Sequence, residues 1–347
     1  MIQKCFIFFL CLALLFLAAA GSVFAQSTGA TQVFYINPVF HPEQKEQISA
    51  VLQKKSEHAH FYIENKWVQG LSDKGLIIIS QALDDLAQEF DQTIYPGLTK
   101  FYGQEWRPGI DHQIPITVLF HRTKNQARGY FRETDEYPQI QAQNSNEREM
   151  VYLDADILFG ERASSLLAHE FTHLITFNQK NRLRGVKEEV WLNELRAEYA
   201  PTFLGYDRNY QGSNLQERLK SFISSPSDSL VKWQNQKQDY GVVNLFAQYL
   251  TDHYGPDILS LSLQTNKTGL DSLNYALEQK DIAKDLSQIF SDWTIAVLVN
   301  NCQINPVFCY KNKNLQDFKI TPSLIFLPST QKTGLSLDYK IQPWTGN

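Results

Sequence analysis

The stretch His169-Glu170-Phe171-Thr172-His173 holds the residue types whose spacing can do chemistry. Its flanks, Ser164 to Ala168 and Leu174-Ile175, read as helix. At 3.6 residues per turn His169 and His173 then share one face, close enough for both imidazoles to hold one ion. Glu170 falls one position round from the first histidine, where its carboxylate reaches a water beside the ion instead of the ion itself. Leu167, Phe171 and Leu174 turn toward a core. Two imidazoles do not complete a metal site, so a third ligand is required. One known extension puts Gly three and His six residues after the second histidine, but Thr176 and Gln179 stand there. The other takes a carboxylate from the next helix, and Trp191-Leu-Asn-Glu194-Leu-Arg-Ala-Glu198-Tyr199 lies where it should, after a connector from Asn178 to Lys187. Glu194 and Glu198 fall one turn apart on the same face. Alone they would read as an ordinary solvated acidic face; beside the two histidines they read as a ligand and a residue that orients one, with the two roles interchangeable at this stage.

These side chains need elements to hold them. Alternation through Ile48 to Leu52 and His60 to Ile63 predicts strands. A helix starts at Ser72-Asp73, with Leu76, Ile79, Leu83, Leu86 and Phe90 as its buried stripe, and Pro96-Gly97 interrupts that region. Ile114 to Phe120 and Met150 to Leu153 read as strands, and Gly129 to Asn146 as a polar loop. Beyond Gly160 helical periodicity dominates, over 162–178, 188–204, 214–224, 241–254, 268–279 and 283–299. After Asn300 the chain returns to short apolar runs with prolines. The expected fold is α+β: an N-terminal sheet-and-helix half (26–158) packed on a mainly helical half (159–300) that carries the site, then a short β-like extension (301–347).

With the WLNE-type helix placed after HEFTH, the chain resembles the gluzincin metallopeptidases, most closely the exported peptidase MA-like and hyicolysin-type bacterial enzymes. Pro108-Gly-Ile-Asp111, Gly129-Tyr-Phe131, Ser145 to Asp154, and Tyr240-Gly241 leading into Leu245-Phe246 and Tyr249-Leu250 add to the likeness, which spans about residues 108 to 255. The resemblance implies a zincin-like fold and a zinc peptidase with His169, His173 and Glu194 as ligands. It also implies that the strand before the metal helix, Met150 to Leu153, holds the peptide by main-chain hydrogen bonds. Leu195-Arg196 departs from the Gly-Leu pair usual in that helix. Such a ligand set leaves Zn²⁺ an open fourth position for water, with Glu170 as general base. Glu198 would accept the free ring N–H of a ligating histidine. Tyr240 is the candidate donor to the oxyanion, with His253 on the same helix as the weaker alternative. His41, His58, His60, His112 and His121 have no matching ligand spacing. Internal cleavage is favoured, because the GxMEN-type segment that gluzincin aminopeptidases use for a free α-amine is missing from the sequence. The rival readings are a non-catalytic exported binding or scaffold protein that keeps the zincin fold, which Leu195-Arg196 would favour, and a zinc hydrolase of a non-peptide amide.

Composition bounds these readings. The 347 residues are 43% hydrophobic and 20% charged with formal net charge -5, a globular balance with no bulk electrostatic attraction to nucleic acid or anionic lipid. Lys4 followed by an unbroken apolar run from Phe6 to Ala20, then Val23-Phe-Ala25, predicts an export signal over 1–25, the alternative being an uncleaved anchor. The run is short for a membrane span and no second one follows, so the expected product is exported, extracellular or periplasmic, with a peptide or protein as its partner. Cys5 and Cys11 lie within the signal. Cys302 and Cys309 remain, flanking Asn305-Pro306, and are expected to pair in an oxidising compartment.

Overall fold

The computed structural model describes residues 29–124, 128–320 and 342–346. The expected signal segment and residues 321–341 lie outside them. In strand β2 (Gln47–Lys55) Ile48, Ala50 and Leu52 are buried on one face, the period-two pattern that the sequence shows. With β1 (Thr31–Tyr35), β3 (Ala59–Glu64), β4 (Ile116–His121), β5 (Gly129–Phe131) and β6 (Met150–Asp154) it forms a six-stranded sheet ordered β1-β2-β3-β4-β6-β5. The β3–β4 and β4–β6 pairs are parallel and the others antiparallel. Every residue of β4 is buried, as a central strand covered on both faces requires.

The helices are α1 (Asn65–Val68), α2 (Asp73–Glu89), α3 (Tyr95–Tyr102), α4 (Ala163–Thr176), α5 (Val190–Phe203), α6 (Asn214–Ser224), α7 (Lys237–Tyr254), α8 (Asp257–Leu263), α9 (Gly269–Gln279) and α10 (Leu286–Val299), of which α2, α4, α5, α6, α7, α9 and α10 fall where the sequence periodicity placed them. Ser72 caps α2 by accepting the Gly75 N–H at 3.2 Å, and Asp285 caps α10 in a reciprocal box with Gln288. One core cluster runs from β3 and β4 through α2, α4, α5, α7 and α10, so the two expected halves share a single interior. The opposite sheet face carries a smaller cluster around Phe34, Tyr62, Met150 and Tyr152.

Four expectations fail here: the break at Pro96-Gly97, the burial of Leu76, the unbroken loop over 129–146 and the open edge on the strand at Met150. Pro96 does not interrupt: it sits in the first turn of α3, where its missing N–H costs nothing, and a π-helical stretch (Phe90–Ile94) carries α2 into α3. Leu76 is exposed while Gly75, Ile79, Leu83, Leu86 and Phe90 are buried, so the first turn of α2 turns Gly75 and not Leu76 inward. The segment 129–146 is not all loop, since Gly129–Phe131 pairs with β6 as β5. Strand β6 is therefore paired on both sides, and the sheet edge at this end is β5. The helix α8 had no counterpart in the sequence reading. Beyond Asn300 the described residues contain a 3₁₀ turn (Lys313–Leu315) and no strand. No helix among the described residues is long and apolar enough to cross a membrane.

Candidate metal centre

Helix α4 inserts its apolar stripe, Leu167, Phe171, Leu174 and Ile175, into the main core. That leaves His169 and His173 facing a cleft of about 650 Å³, whose floor they share with Glu170 and Glu194 and whose walls include β5, Arg218 and Tyr240. The two imidazole Nε2 atoms stand 3.2 Å apart. Helix α5 packs against α4 and brings Glu194 Oε2 to 3.4 Å from His169 Nε2 and 3.7 Å from His173 Nε2. Donors held about 2.0–2.1 Å from a tetrahedral ion stand roughly 3.3–3.4 Å apart, so these three atoms form one face of such a site. Glu194 Oε2 is also buried and accepts no hydrogen bond, a costly arrangement unless a cation completes it. The donor set therefore fits a divalent metal. Glu170 also brings an oxygen within 4.8 Å of the ring nitrogens of both histidines. Glu194, with the shorter distances and the orphaned oxygen, is the better third donor.

The remaining ring nitrogens are held from behind. Glu198 Oε1 faces His169 Nδ1 at 3.5 Å, and Asn193 Oδ1 lies 3.1 Å from His173 Nδ1. Carboxylate or amide oxygens there favour the tautomer whose Nε2 lone pair points at the centre. Glu198 itself is fully buried and accepts from Arg218 Nε at 2.8 Å, Arg218 Nη2 at 2.7 Å, Asn214 Nδ2 at 2.9 Å and Asn244 Nδ2 at 3.2 Å. The Arg218 guanidinium in turn lies 4.8 Å from the centroid of the Tyr240 ring. Asn193 and Arg218 were missed by the sequence reading. Asn193 had a signal, its place directly before Glu194; Arg218 had none, because only the packing of α6 on α7 brings it in.

Burial penalises every charge here, and the neighbours decide which survive. It pushes the Glu170 carboxyl up to about 8, against the pull of His169 and with help from the Glu194 anion. Glu194 and Glu198 are also buried, yet both lie below the usual carboxylate range, held by His173 and His169 in one case and by Arg218 in the other. Burial would depress His169, but the Glu194 carboxylate beside it and the charges of Glu170 and Glu198 raise it to about 9. Two adjacent carboxylates are thus driven apart, one kept as an anion and one able to carry a proton.

The other candidates fall in and out of the cleft. The Tyr240 hydroxyl, on the first turn of α7, lies in the cleft wall and donates to Asn235 Oδ1 at 3.2 Å. His253 is removed from the site: at the far end of α7 its Nε2 lies 2.8 Å from the Cys309 carbonyl oxygen. Cys302 and Cys309 are joined by a disulfide with their Cα atoms 5.1 Å apart. Leu195 is fully buried in the core. Arg196, the other departure in the α5 motif, points away from the cleft into a buried network. It donates to Glu188 Oε2 at 2.8 Å and to Ser262 Oγ at 3.2 and 2.7 Å, and Lys180 Nζ lies 3.6 Å from the same Glu188 oxygen. It ties α5 to α8.

An α+β, zincin-like fold with two histidines and a glutamate gathered at the sheet edge defines this chain's class by architecture. Among known proteins it is similar to the neutral metalloprotease ShpI of Staphylococcus hyicus, with 24% identity over 282 residues. The match covers 73% of this chain and 59% of that protein, so the chain spans less than two thirds of its relative's length. No family model matches the chain.

Proposed function

We propose that this chain is an exported zinc metallopeptidase that cleaves internal bonds of peptide or protein substrates. The observation that carries the reading is the triangle of His169 Nε2, His173 Nε2 and Glu194 Oε2 on the floor of an extended cleft. The likeness to a neutral metalloprotease supports it independently. Zinc held by those three residues would supply Lewis acidity toward the attacking water and the scissile carbonyl. Glu170 takes the water's proton on its carboxylate and passes it to the leaving amine. Tyr240 turns its hydroxyl from Asn235 to the developing oxyanion. Glu198 and Asn193 keep His169 and His173 in register. Among the described residues the outer edge of β5 faces no other strand, and it lines the cleft, so an extended peptide can pair with it in place of the β6 edge first expected. Such pairing along the chain, and the missing aminopeptidase segment, favour internal cleavage. The two cysteines closed in a short loop agree with an oxidising, extracellular or periplasmic setting.

The non-catalytic scaffold reading drew on Leu195-Arg196, and the burial of Arg196 against Glu188 gives that departure a structural use away from the metal face. The test is Glu170→Gln, which keeps size and leaves the three proposed ligands alone. Zinc content should stay stoichiometric while hydrolysis of a casein or quenched-fluorophore peptide falls by about 10²–10⁴-fold. Undiminished hydrolysis would refute the base. A wild-type protein that binds no zinc and cleaves no peptide would return the scaffold reading.

A further inference from the structure

Strand β5 lays alternate residues on α4. Phe131 stacks beside His173, ring centroids 6.4 Å apart and 21° between planes, while Tyr130 turns to the other face and stacks on Tyr152. Two residues before Phe131 and on the same face stands Gly129, and what a side chain would meet there is specific. A Cβ at Gly129 would lie 2.6 Å from Glu170 Oε1, 3.0 Å from Glu170 Cγ and 2.9 Å from Leu153 Cδ2. The Glu170 side chain thus occupies the space that any other residue at 129 would fill. Among the described residues no hydrogen-bond donor is directed at the Glu170 carboxylate, so packing is what fixes it. The backbone at Gly129 is an ordinary strand conformation that alanine can adopt; the glycine is required by the neighbour, not by a turn.

We propose that Gly129 is a positioning residue for Glu170: the bare edge strand lets the carboxylate lie flat against β5 while it faces the two histidines. The inference rests on the peptidase reading for its effect on rate, and on geometry alone for its effect on structure. A methyl group keeps an oxygen about 3.3–3.6 Å away, so Gly129→Ala must displace Oε1 by roughly 0.7–1 Å. A misplacement of about 1 Å at a reacting group can cost on the order of 10²-fold in rate. The three proposed ligands do not touch Gly129, so metal should be unaffected.

The experiment compares wild type, Gly129→Ala, Glu170→Asp and the double variant, each carried in the whole chain. Each is measured for zinc by mass spectrometry, for Tm, for kcat and KM on a quenched-fluorophore peptide, and by crystallography. Gly129→Ala is expected to keep zinc and Tm, to lose about 30–100-fold in kcat with KM within about threefold, and to show the Glu170 carboxylate shifted with His169, His173 and Glu194 in place. Glu170→Asp already draws the carboxylate back along its own side chain by about 1.5 Å, one bond length, so the placement that Gly129 protects is lost and adding Gly129→Ala should cost little more. Losses that simply multiply in the double variant would overturn the proposal, because Gly129 would then act independently of Glu170. So would an unmoved Glu170, wild-type kcat, or a Gly129→Ala protein that is unfolded or zinc-free. If wild type itself cleaves nothing, the peptidase reading fails, and the crystallographic shift still decides the contact.

Discussion

Replacing Glu198 by glutamine tests how far the residues behind the metal face control it. The carboxylate divides its work between its oxygens: Oε2 accepts from Asn214, Asn244 and Arg218 Nε, while Oε1 accepts from Arg218 Nη2 and faces His169 Nδ1. An amide can satisfy one set only. With its oxygen toward the three donors, its NH₂ meets the Arg218 guanidinium and the imidazole N–H, donor against donor. One charge-assisted bond is lost, about 1.5–3 kcal/mol, and a nearly buried guanidinium loses the nearer of its two counter-ions, keeping Glu217 at 3.9 Å. The Arg218 side chain keeps 16% exposure, so part of that charge rehydrates and the full buried-pair penalty is not reached. A net loss of about 2–4 kcal/mol follows, and a fall in Tm of roughly 4–12 °C for a domain of this size. Loss of the partner that fixes the His169 tautomer should also weaken zinc about 10–100-fold without abolishing it. Chelator-competition titration gives the zinc affinity, and thermal unfolding of metal-free protein gives the stability change separately. Unchanged zinc affinity with the expected Tm loss would confine Glu198 to the core. A Glu198→Gln protein wholly devoid of zinc, beside a Glu194→Ala protein that retains it, would swap the two roles.

Three further outcomes are expected. Glu194→Ala should emerge from purification with little zinc and no hydrolysis, since it removes one of three donors and leaves a site of two imidazoles; metal analysis decides it. Arg196→Leu, which restores the residue usual in that helix, should destabilise by about 2–4 kcal/mol in thermal or urea unfolding, because Glu188 and Ser262 lose a buried partner. A gain in stability would show that the network is dispensable. Alkylation of denatured, unreduced protein should label neither Cys302 nor Cys309 and, after reduction, both; labelling before reduction would remove the disulfide.

The sequence revealed what depends on spacing along one element. His169 and His173 one turn apart, Glu170 beside them, and Glu194 and Glu198 one turn apart on the next helix are periodic facts, and the structure sets Glu194 between the two Nε2 atoms and Glu198 behind His169. What depends on pairing between elements was not legible. Three residues, Gly129 to Phe131, are too few for an alternation to show, and only their ladder with β6 makes them a strand; the edge was therefore assigned one strand too far in. Arg196 could be read only as a departure from a pattern, because its meaning lies in Glu188, Ser262 and Lys180, drawn from a connector, α8 and the π-helical turn after α4.

The glycines show where the boundary between the two kinds of information falls. An isolated glycine in a strand or helix is a readable sign that something approaches closely, but not of what. At Gly129 the neighbour is Glu170. At Gly241 a Cβ would stand 2.7 Å from the Phe222 amide nitrogen and 3.1 Å from the Arg218 carbonyl oxygen, so α6 and α7 touch backbone to backbone there. That contact carries Arg218 to the Tyr240 ring and to Glu198 at once. The Tyr240-Gly241 pair was noticed for its hydroxyl, yet its glycine does as much for the site: without it α6 would stand off, and both the tyrosine and the carboxylate behind His169 would lose the arginine that braces them.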